Sequence, residues 1–194
     1  MIPIIIGVTG LPSAGKGVFC DIARNHYGFK QIVMGDVIRR ECKKRGLPVT
    51  RESSNIVMIE LRKERGANAI ALVTLEWIDN LIQKDVKLIL IDGIRSLSEV
   101  ETFTASYENF TLIAVHASQQ TRLHRAMNRR RKDDAFSKEA FLERDKIELD
   151  IGIGDVVAKS EILISSETSI SKTKKQFKEA LEFILKQNKI EIEV

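Results

Sequence analysis

Runs of apolar residues alternate with segments of mixed apolar and polar character along the chain, and this alternation predicts strands and helices in turn. Runs rich in isoleucine, leucine and valine at residues 2–8, 87–93 and 110–116 are typical of parallel strands that are buried on both faces. Shorter runs at residues 30–34 and 161–165 predict two more strands. Helices are predicted between them, at residues 16–26, 36–45, 52–65, 67–84, 98–107, 119–131, 137–149 and 171–187.

The order of these elements predicts the fold. About five strands separated by helices indicate a three-layer α/β domain with one doubly wound parallel sheet, because parallel strands need crossover connections. The 194 residues suit one such domain, spanning residues 1–194, and an apolar content of 43% excludes a disordered chain. Ligands of such sheets bind beyond the carboxyl ends of the strands, so we expect the functional residues in the segments that follow the strands.

Charge and cysteine content narrow the function classes. The net charge of +4 permits an anionic partner but is too small to indicate nucleic-acid binding. No apolar run approaches the roughly 18 residues that a membrane-spanning helix requires, and the first residues carry no basic leader of a secretion signal. Cys20 and Cys42 have neither metal-type nor redox spacing. We therefore expect a cytoplasmic protein with no membrane partner.

A glycine-rich segment follows the first predicted strand and opens the first predicted helix. Its sequence, GLPSAGK, matches the phosphate-binding pattern G-x-x-x-x-G-K. Glycines allow positive φ, so that backbone N–H groups point at phosphate oxygens, and the lysine reaches the outer phosphates. The pattern predicts that a nucleoside triphosphate is bound by Gly10, Pro12, Ser13, Ala14, Gly15, Lys16, Gly17 and Val18.

One position of this segment departs from the usual pattern. Gly17 takes the place of the Ser or Thr that normally ligates Mg²⁺, and Val18 has no hydroxyl either. A Mg²⁺ ion would then be held mainly by phosphates and water, which suits an ion that keeps much of its hydration shell. Asp92 ends the apolar run at residues 87–93 and is the best carboxylate to hold those waters. The sequence therefore predicts Mg²⁺ bound to Asp92 through water.

Arginines follow the ends of two other predicted strands. Arg39 lies one helical turn after the second strand, in the segment GDVIR, and Arg95 follows the third strand in the segment DGIR. Either guanidinium can form two parallel hydrogen bonds to one phosphate group.

A third group of arginines lies on the predicted helix at residues 119–131. One face of that helix carries Arg122, Arg125 and Arg129 at spacings of three and four. So many like charges repel one another unless an anion lies opposite. A solvated basic face, or a patch that contacts RNA, is the alternative interpretation.

Several of these segments resemble adenylate kinase and other nucleoside-monophosphate kinases: GLPSAGKG, GDVIR, LILIDGIR and TRLHRAMNRRRKDD…ERD. Together with DGIRSLSEVE and ELDIGIGDVVAKSEILI, they resemble more closely a group of adenylate-kinase-related P-loop proteins, over nearly the whole chain. The resemblance implies a P-loop NTPase fold with a helical acceptor-binding segment at about residues 36–84 and a short lid at about 125–145. It also implies ATP and Mg²⁺ as donor and cofactor, with a nucleoside monophosphate such as AMP as the acceptor.

The resemblance assigns roles to individual residues. In these kinases, the arginines of the GD-x-x-R and Asp-Gly segments grip the acceptor monophosphate; they correspond to Arg39 and Arg95, with Asp36 beside them. Lid arginines close over the transferring phosphoryl group. The catalytic residues that the resemblance implies are Lys16, Asp92, Arg125, Arg129 and Arg144.

Three functions compete at this point. The first is transfer of the γ-phosphoryl group of ATP to a nucleotide, which needs alignment and cations more than acid–base chemistry. The second is a dephospho-coenzyme-A kinase-like activity, in which Asp36 would take the proton of a sugar hydroxyl. The third is a nucleotide-binding switch or RNA-associated module that scarcely turns over. We expect a monomer or a homodimer, since residues 190–194 alternate like an edge strand.

Overall fold

The computed structural model describes residues 2–128 and 137–189. Within them, five strands form one sheet in which every neighbouring pair is parallel, in the order β2-β3-β1-β4-β5. The strands are β1 (Ile4–Thr9), β2 (Lys30–Val33), β3 (Leu88–Asp92), β4 (Phe110–His116) and β5 (Ile162–Ser165). The prediction of about five parallel strands is confirmed.

Helices connect the strands and cover both faces of the sheet. They are α1 (Lys16–Tyr27), α2 (Gly35–Lys44), α3 (Arg51–Arg65), α4 (Ala69–Ile82), α5 (Leu97–Ser106), α6 (Gln119–Asn128), α7 (Lys138–Ile151), α8 (Ile153–Ala158) and α9 (Ile170–Gln187). The short helix α8 was not predicted, because six residues are too few to show a helical period. It begins directly after Gly152, whose φ of +107° ends α7.

The two faces of β1 explain its continuous apolar run. Ile4 and Ile6 point into a core that α1 and α9 complete, where the rings of Phe19 and Phe177 meet edge to face at 5.3 Å. Ile5 points into the opposite core, which is built from α2 to α5 and α8. Because successive side chains of a strand alternate between faces, a strand between two cores is apolar at nearly every position; the exception in β1 is Thr9, whose buried hydroxyl donates to the carbonyl oxygen of Ile94.

The register of the sheet brings three connections to one edge. Asp92, at the end of β3, pairs with Val8 of β1 on one side and with Val33 of β2 on the other. The segments that leave these three strands therefore start side by side. They are the glycine-rich loop at residues 10–15 (the phosphate loop), the start of α2, and the loop at residues 93–96.

The expectations about membrane spans, cysteines and the C-terminal residues have separate outcomes. Over residues 2–128 and 137–189, no helix is both long enough and apolar enough to cross a bilayer. Cys20 and Cys42 are both buried as free thiols. The predicted strand at residues 190–194 and the predicted lid residue Arg129 lie outside the described residues.

Candidate active site

The phosphate loop joins β1 to α1 through a backbone that favours glycine. At Gly10 the φ is +136°, and a Cβ there would lie 2.2 Å from the carbonyl oxygen of Val115. Ser13 and Gly15 also have positive φ, of 64° and 112°. Gly15 is the N-cap of α1 and provides no side-chain cap, so first-turn N–H groups of this helix are available to an anion.

Lys16 is the cation of this loop. Its Nζ donates to the carbonyl oxygen of Gly10 and, at 3.3 Å, to that of Leu11. Burial lowers the pKa of Lys16 to about 8; Asp92 opposes this shift and Arg95 adds to it. The ammonium is therefore still mostly charged at pH 7, although it lies among protein atoms.

One cavity of about 370 Å³, here called the main cavity, brings most of the predicted site residues together. Its volume is within the range of small-molecule sites. The predicted residues that line it are Gly10, Pro12, Ser13, Gly15, Lys16, Gly17, Asp92, Arg39, Arg95 and Arg144. The phosphate loop and arginines from three other segments therefore face the same space.

Asp92 is the carboxylate that lies at the floor of the main cavity, where β3 ends. Its Oδ2 accepts a hydrogen bond from Nε2 of Gln31 at 3.0 Å. Among the described residues, no cluster of three or more His, Cys, Asp and Glu side chains is arranged to hold a metal ion. A single carboxylate that faces the phosphate loop does fit Mg²⁺, because this ion takes few protein ligands and is otherwise held by phosphate and water.

Asp36 and Arg39 interact with each other on the first turns of α2. Nε of Arg39 donates to Oδ1 of Asp36 at 2.7 Å, and both side chains are about half exposed. Arg39 lines the main cavity, whereas Asp36 is not among the residues that line it. In this arrangement the Asp36 carboxylate contacts Nε and Nη2 of Arg39.

Arg95 has an acidic neighbour that the sequence analysis did not single out. Its Nε lies 3.2 Å from Oε2 of Glu148, a close contact of opposite charges that is not aligned as a hydrogen bond. Glu148 is buried and lines the main cavity. It lies one helical turn after Arg144 on α7, and this spacing of four was the signal that could have identified it.

The remaining cavity walls are mostly small or apolar, and sequence reasoning had no signal for them. They are Val33, Gly35, Gly93, Ile94, Ala126, Phe141 and Ile153.

The arginines of α6 contact the protein itself. The buried Arg122 forms an ion pair with Asp145 of α7, so its charge needs no external anion, contrary to the interpretation of this helix face. Arg125 donates to Oγ of Ser166 at 2.9 Å and to the carbonyl oxygen of Ala14 at 3.4 Å. Neither arginine lines the main cavity. Arg125 therefore contacts the phosphate loop from outside the cavity.

Comparison with known proteins shows the family of the chain. A family model described as an AAA domain matches residues 9–142. A UPF0200 protein from Methanothermobacter thermautotrophicus is 43% identical over 178 residues, which are 92% of this chain and 89% of that protein. The chain belongs to the UPF0200 family.

Solved structures show which fold this UPF0200 protein shares. A dephospho-CoA kinase from Campylobacter jejuni has a TM-score of 0.58 and 19% identity, over 95% of this chain and 98% of that one. A shikimate kinase from Acinetobacter baumannii has a TM-score of 0.59 and 18% identity, over 98% and 97%. At these identities the likeness shows the fold alone, which is that of P-loop kinases. The resemblance to P-loop kinase-like proteins, stated from the sequence, is confirmed.

Proposed function

We propose that this protein transfers the γ-phosphoryl group of ATP to a nucleoside monophosphate. The observation that carries the proposal is the arrangement of the main cavity. Lys16 of the phosphate loop lines it, and so do Arg39 and Arg95, which follow two other strands. Two separate groups of cations suit two phosphorylated substrates that meet in one space.

The reaction needs little from the protein besides alignment and positive charge. An oxygen of the acceptor phosphate forms a bond to the γ-phosphorus of ATP as the bond from that phosphorus to the ADP oxygen breaks. The acceptor is already an anion, so no base has to remove a proton. Lys16 and Arg144 line the space where charge spreads over the transferring group. Mg²⁺, held through Asp92 and water, would neutralise part of the charge on the phosphates.

A second candidate function is transfer to a hydroxyl group, and Glu148 is the observation that favours it. A hydroxyl acceptor must lose a proton, which requires a base in the cavity. Asp36 is a poor choice because it pairs with Arg39 and does not line the cavity. Glu148 is a buried carboxylate that does line it. Two proteins with the same fold are named as kinases of dephospho-CoA and shikimate.

An ATP-dependent transfer assay tests the proposal. Nucleoside monophosphates and dephospho-coenzyme A are offered as acceptors, with Mg²⁺ present and absent. We expect Mg²⁺-dependent transfer to a monophosphate, and a loss of at least a hundredfold in Lys16→Ala, because removal of a preorganised charged donor costs about 2.7–4 kcal/mol. Lys178→Ala, an exposed position on α9, is the matched control and should retain full activity.

The outcomes separate the competing functions. Transfer to dephospho-coenzyme A that is lost in Glu148→Gln would support the second candidate and contradict the first. Binding of ATP without transfer to any acceptor would favour a nucleotide-binding switch. If the protein instead bound RNA, its affinity for RNA would fall steeply as the salt concentration rises.

A further inference from the structure

Arg62 is a partly exposed arginine of α3 that uses only part of its hydrogen-bonding capacity. Its Nη2 donates to Oε1 of Glu99 on α5 at 2.7 Å. Its Nε and Nη1 are buried and have no hydrogen-bond partner. The two side chains are 16% and 1% exposed. Buried donors without an acceptor are costly, and they are rare unless something else accepts from them.

Arg62 lies beside a small pocket that adjoins the main cavity, here called the side pocket. Arg62 lines the side pocket together with Met58 and Ile70, which are apolar. Gly93 and Arg95 line both the side pocket and the main cavity. A substrate whose phosphate lies at Arg95 can therefore extend from one space into the other. An apolar, flat group with a polar edge suits such walls.

Glu99 is the acidic residue that lines the side pocket, and both of its carboxylate oxygens already accept hydrogen bonds from the protein. Glu99 accepts from Arg62 with one carboxylate oxygen, and with the other it accepts the backbone N–H groups of Arg95 and Ser96, at 2.8 and 3.3 Å. The polar side chains that remain for a ligand in this pocket are those of Arg62 and Arg95, and both are guanidinium groups. A guanidinium donates hydrogen bonds and never accepts them. The ligand must therefore present an acceptor atom to α3.

We propose that the side pocket recognises the base of the acceptor nucleotide through Arg62, and that it selects bases that carry a carbonyl oxygen. This inference rests on the proposed function. Guanine, hypoxanthine, cytosine and uracil each have at least one carbonyl oxygen, whereas adenine has none: its acceptors are ring nitrogens, and an amino donor lies beside two of them, N1 and N7. An amino group that faces a guanidinium leaves donors opposed to donors. AMP, the acceptor that the sequence resemblance implies, is therefore the weakest substrate of the set.

The side pocket must open before a base can enter. Its volume in this structure is about 10 Å³, which is about enough for one water molecule. Met58 lines this small space, with its Sδ 3.6 Å from Nη1 of Arg95, and the Arg62–Glu99 ion pair joins α3 to α5 beside it. A turn of the flexible Met58 side chain out of the side pocket would admit the base and leave the Arg62–Glu99 ion pair intact.

A comparison of acceptor nucleotides tests the inference directly. The full-length protein is given ATP, Mg²⁺ and each of AMP, IMP, GMP, CMP and UMP in turn, and kcat/KM is measured for each. IMP and AMP are the sharpest pair, because one purine carries an oxo group where the other carries an amino group. We expect the best of the oxo-base nucleotides to exceed AMP at least tenfold. AMP as the best acceptor would overturn the inference.

Calorimetry with the same five nucleotides separates this inference from the proposed function, since binding does not require turnover. Oxo-base nucleotides that bind more tightly than AMP without being phosphorylated would support the inference and contradict the proposed transfer. Transfer to monophosphates with no preference between IMP and AMP would contradict the inference alone. Absence of any binding by all five would overturn both.

Variants at Arg62 show whether this side chain is the source of the preference. In Arg62→Gln the side-chain carbonyl can accept from an amino group, so we expect the ratio of IMP to AMP to fall towards one. Arg62→Lys still offers only donors and should retain the preference. Arg65→Gln, an exposed position on the same helix, is the control and should leave the ratio unchanged. An unchanged ratio in Arg62→Gln, in protein that remains folded by circular dichroism, would contradict the assignment.

Discussion

Arg122 and Asp145 form an ion pair whose side chains are only 3% and 2% exposed. Both terminal nitrogens of the guanidinium contact the carboxylate, one on each oxygen. Nη1 of Arg122 also donates to the carbonyl oxygen of Pro12 in the phosphate loop at 3.3 Å. This pair therefore joins α6, α7 and the loop, and it holds in place one wall of the main cavity.

Removal of one partner of this pair should destabilise the fold. In Asp145→Asn, Arg122 remains buried without its counter-charge, and we expect the free energy of unfolding to fall by about 3–5 kcal/mol. Urea denaturation measures it. Glu143→Gln, an exposed position on the same helix, is the control and should change the value by less than about 0.5 kcal/mol. A loss below 1 kcal/mol in Asp145→Asn would show that the pair is not a structural requirement.

Gly17 lies in the first turn of α1, where an added Cβ meets no atom within 4 Å. A side chain therefore fits, and Gly17→Ser restores the hydroxyl that phosphate loops use for Mg²⁺. We expect the Mg²⁺ concentration for half-maximal transfer to fall about tenfold, equivalent to 1.4 kcal/mol from one added ligand. Gly17→Ala adds the same Cβ without the hydroxyl. A similar shift in both variants would exclude direct ligation by the serine.

The lowered pKa of Lys16 predicts how ATP binding depends on pH. With a pKa of about 8, the ammonium of the free protein is charged in about nine tenths of molecules at pH 7 and in about one tenth at pH 9. Since the triphosphate binds the charged form, we expect its Kd to rise about tenfold across this range. Calorimetry at pH 8.5 in buffers of different ionisation enthalpy should also detect proton uptake. A flat Kd between pH 7 and 9 would argue against Lys16 as the phosphate ligand.

The same shift has a consequence for stability. An unfolded lysine keeps its proton up to its ordinary pKa of 10.5, so the unfolded chain binds more protons than the folded one between about pH 8 and 10.5. The folded state should therefore gain stability as the pH rises through this window. Urea denaturation should show that Lys16→Met, compared with the unaltered protein, lacks this gain; an identical pH dependence would contradict the shift.

The Asp36–Arg39 pair allows the two side chains to be tested separately. We expect Asp36→Asn to change kcat/KM for a monophosphate by less than about fivefold, because an exposed ion pair contributes at most about 1 kcal/mol. Arg39→Ala should raise the KM for the acceptor about 10- to 100-fold, the value of a charge-assisted hydrogen bond to phosphate. Initial-rate kinetics with the acceptor varied distinguishes them. A greater loss in Asp36→Asn than in Arg39→Ala would indicate that Asp36 acts as a base.

Much of the site was predictable because its signals are local. The isoleucines of β1 predict a strand buried on both faces, and the turn that follows needs glycine at Gly10 because of the backbone of β4. Asp92 and Arg95 were found because they directly follow an apolar run. Parallel strands end at one edge of the sheet, so residues that follow different strands meet there. Proximity in space could thus be inferred without knowledge of the packing.

Other features depend on which faces of distant helices meet. The sequence places Arg122 on the same helix face as Arg125 but contains no sign that Asp145, 23 positions later, will lie against it. Likewise, nothing local indicates that Glu148 faces Arg95, or that two nitrogens of Arg62 are buried and unpartnered.

The amino-acid sequence by itself determined the strand and helix pattern, the glycine-rich phosphate loop and the edge of the sheet where the candidate site residues come together. All of these follow from side-chain periodicity and from residues adjacent in the chain. The tertiary structure alone decided which arginines face the main cavity and which bind internal carboxylates or carbonyls. That choice depends on the relative placement of helices α3, α5, α6 and α7, since a buried charge is stable only where packing brings an opposite group to it.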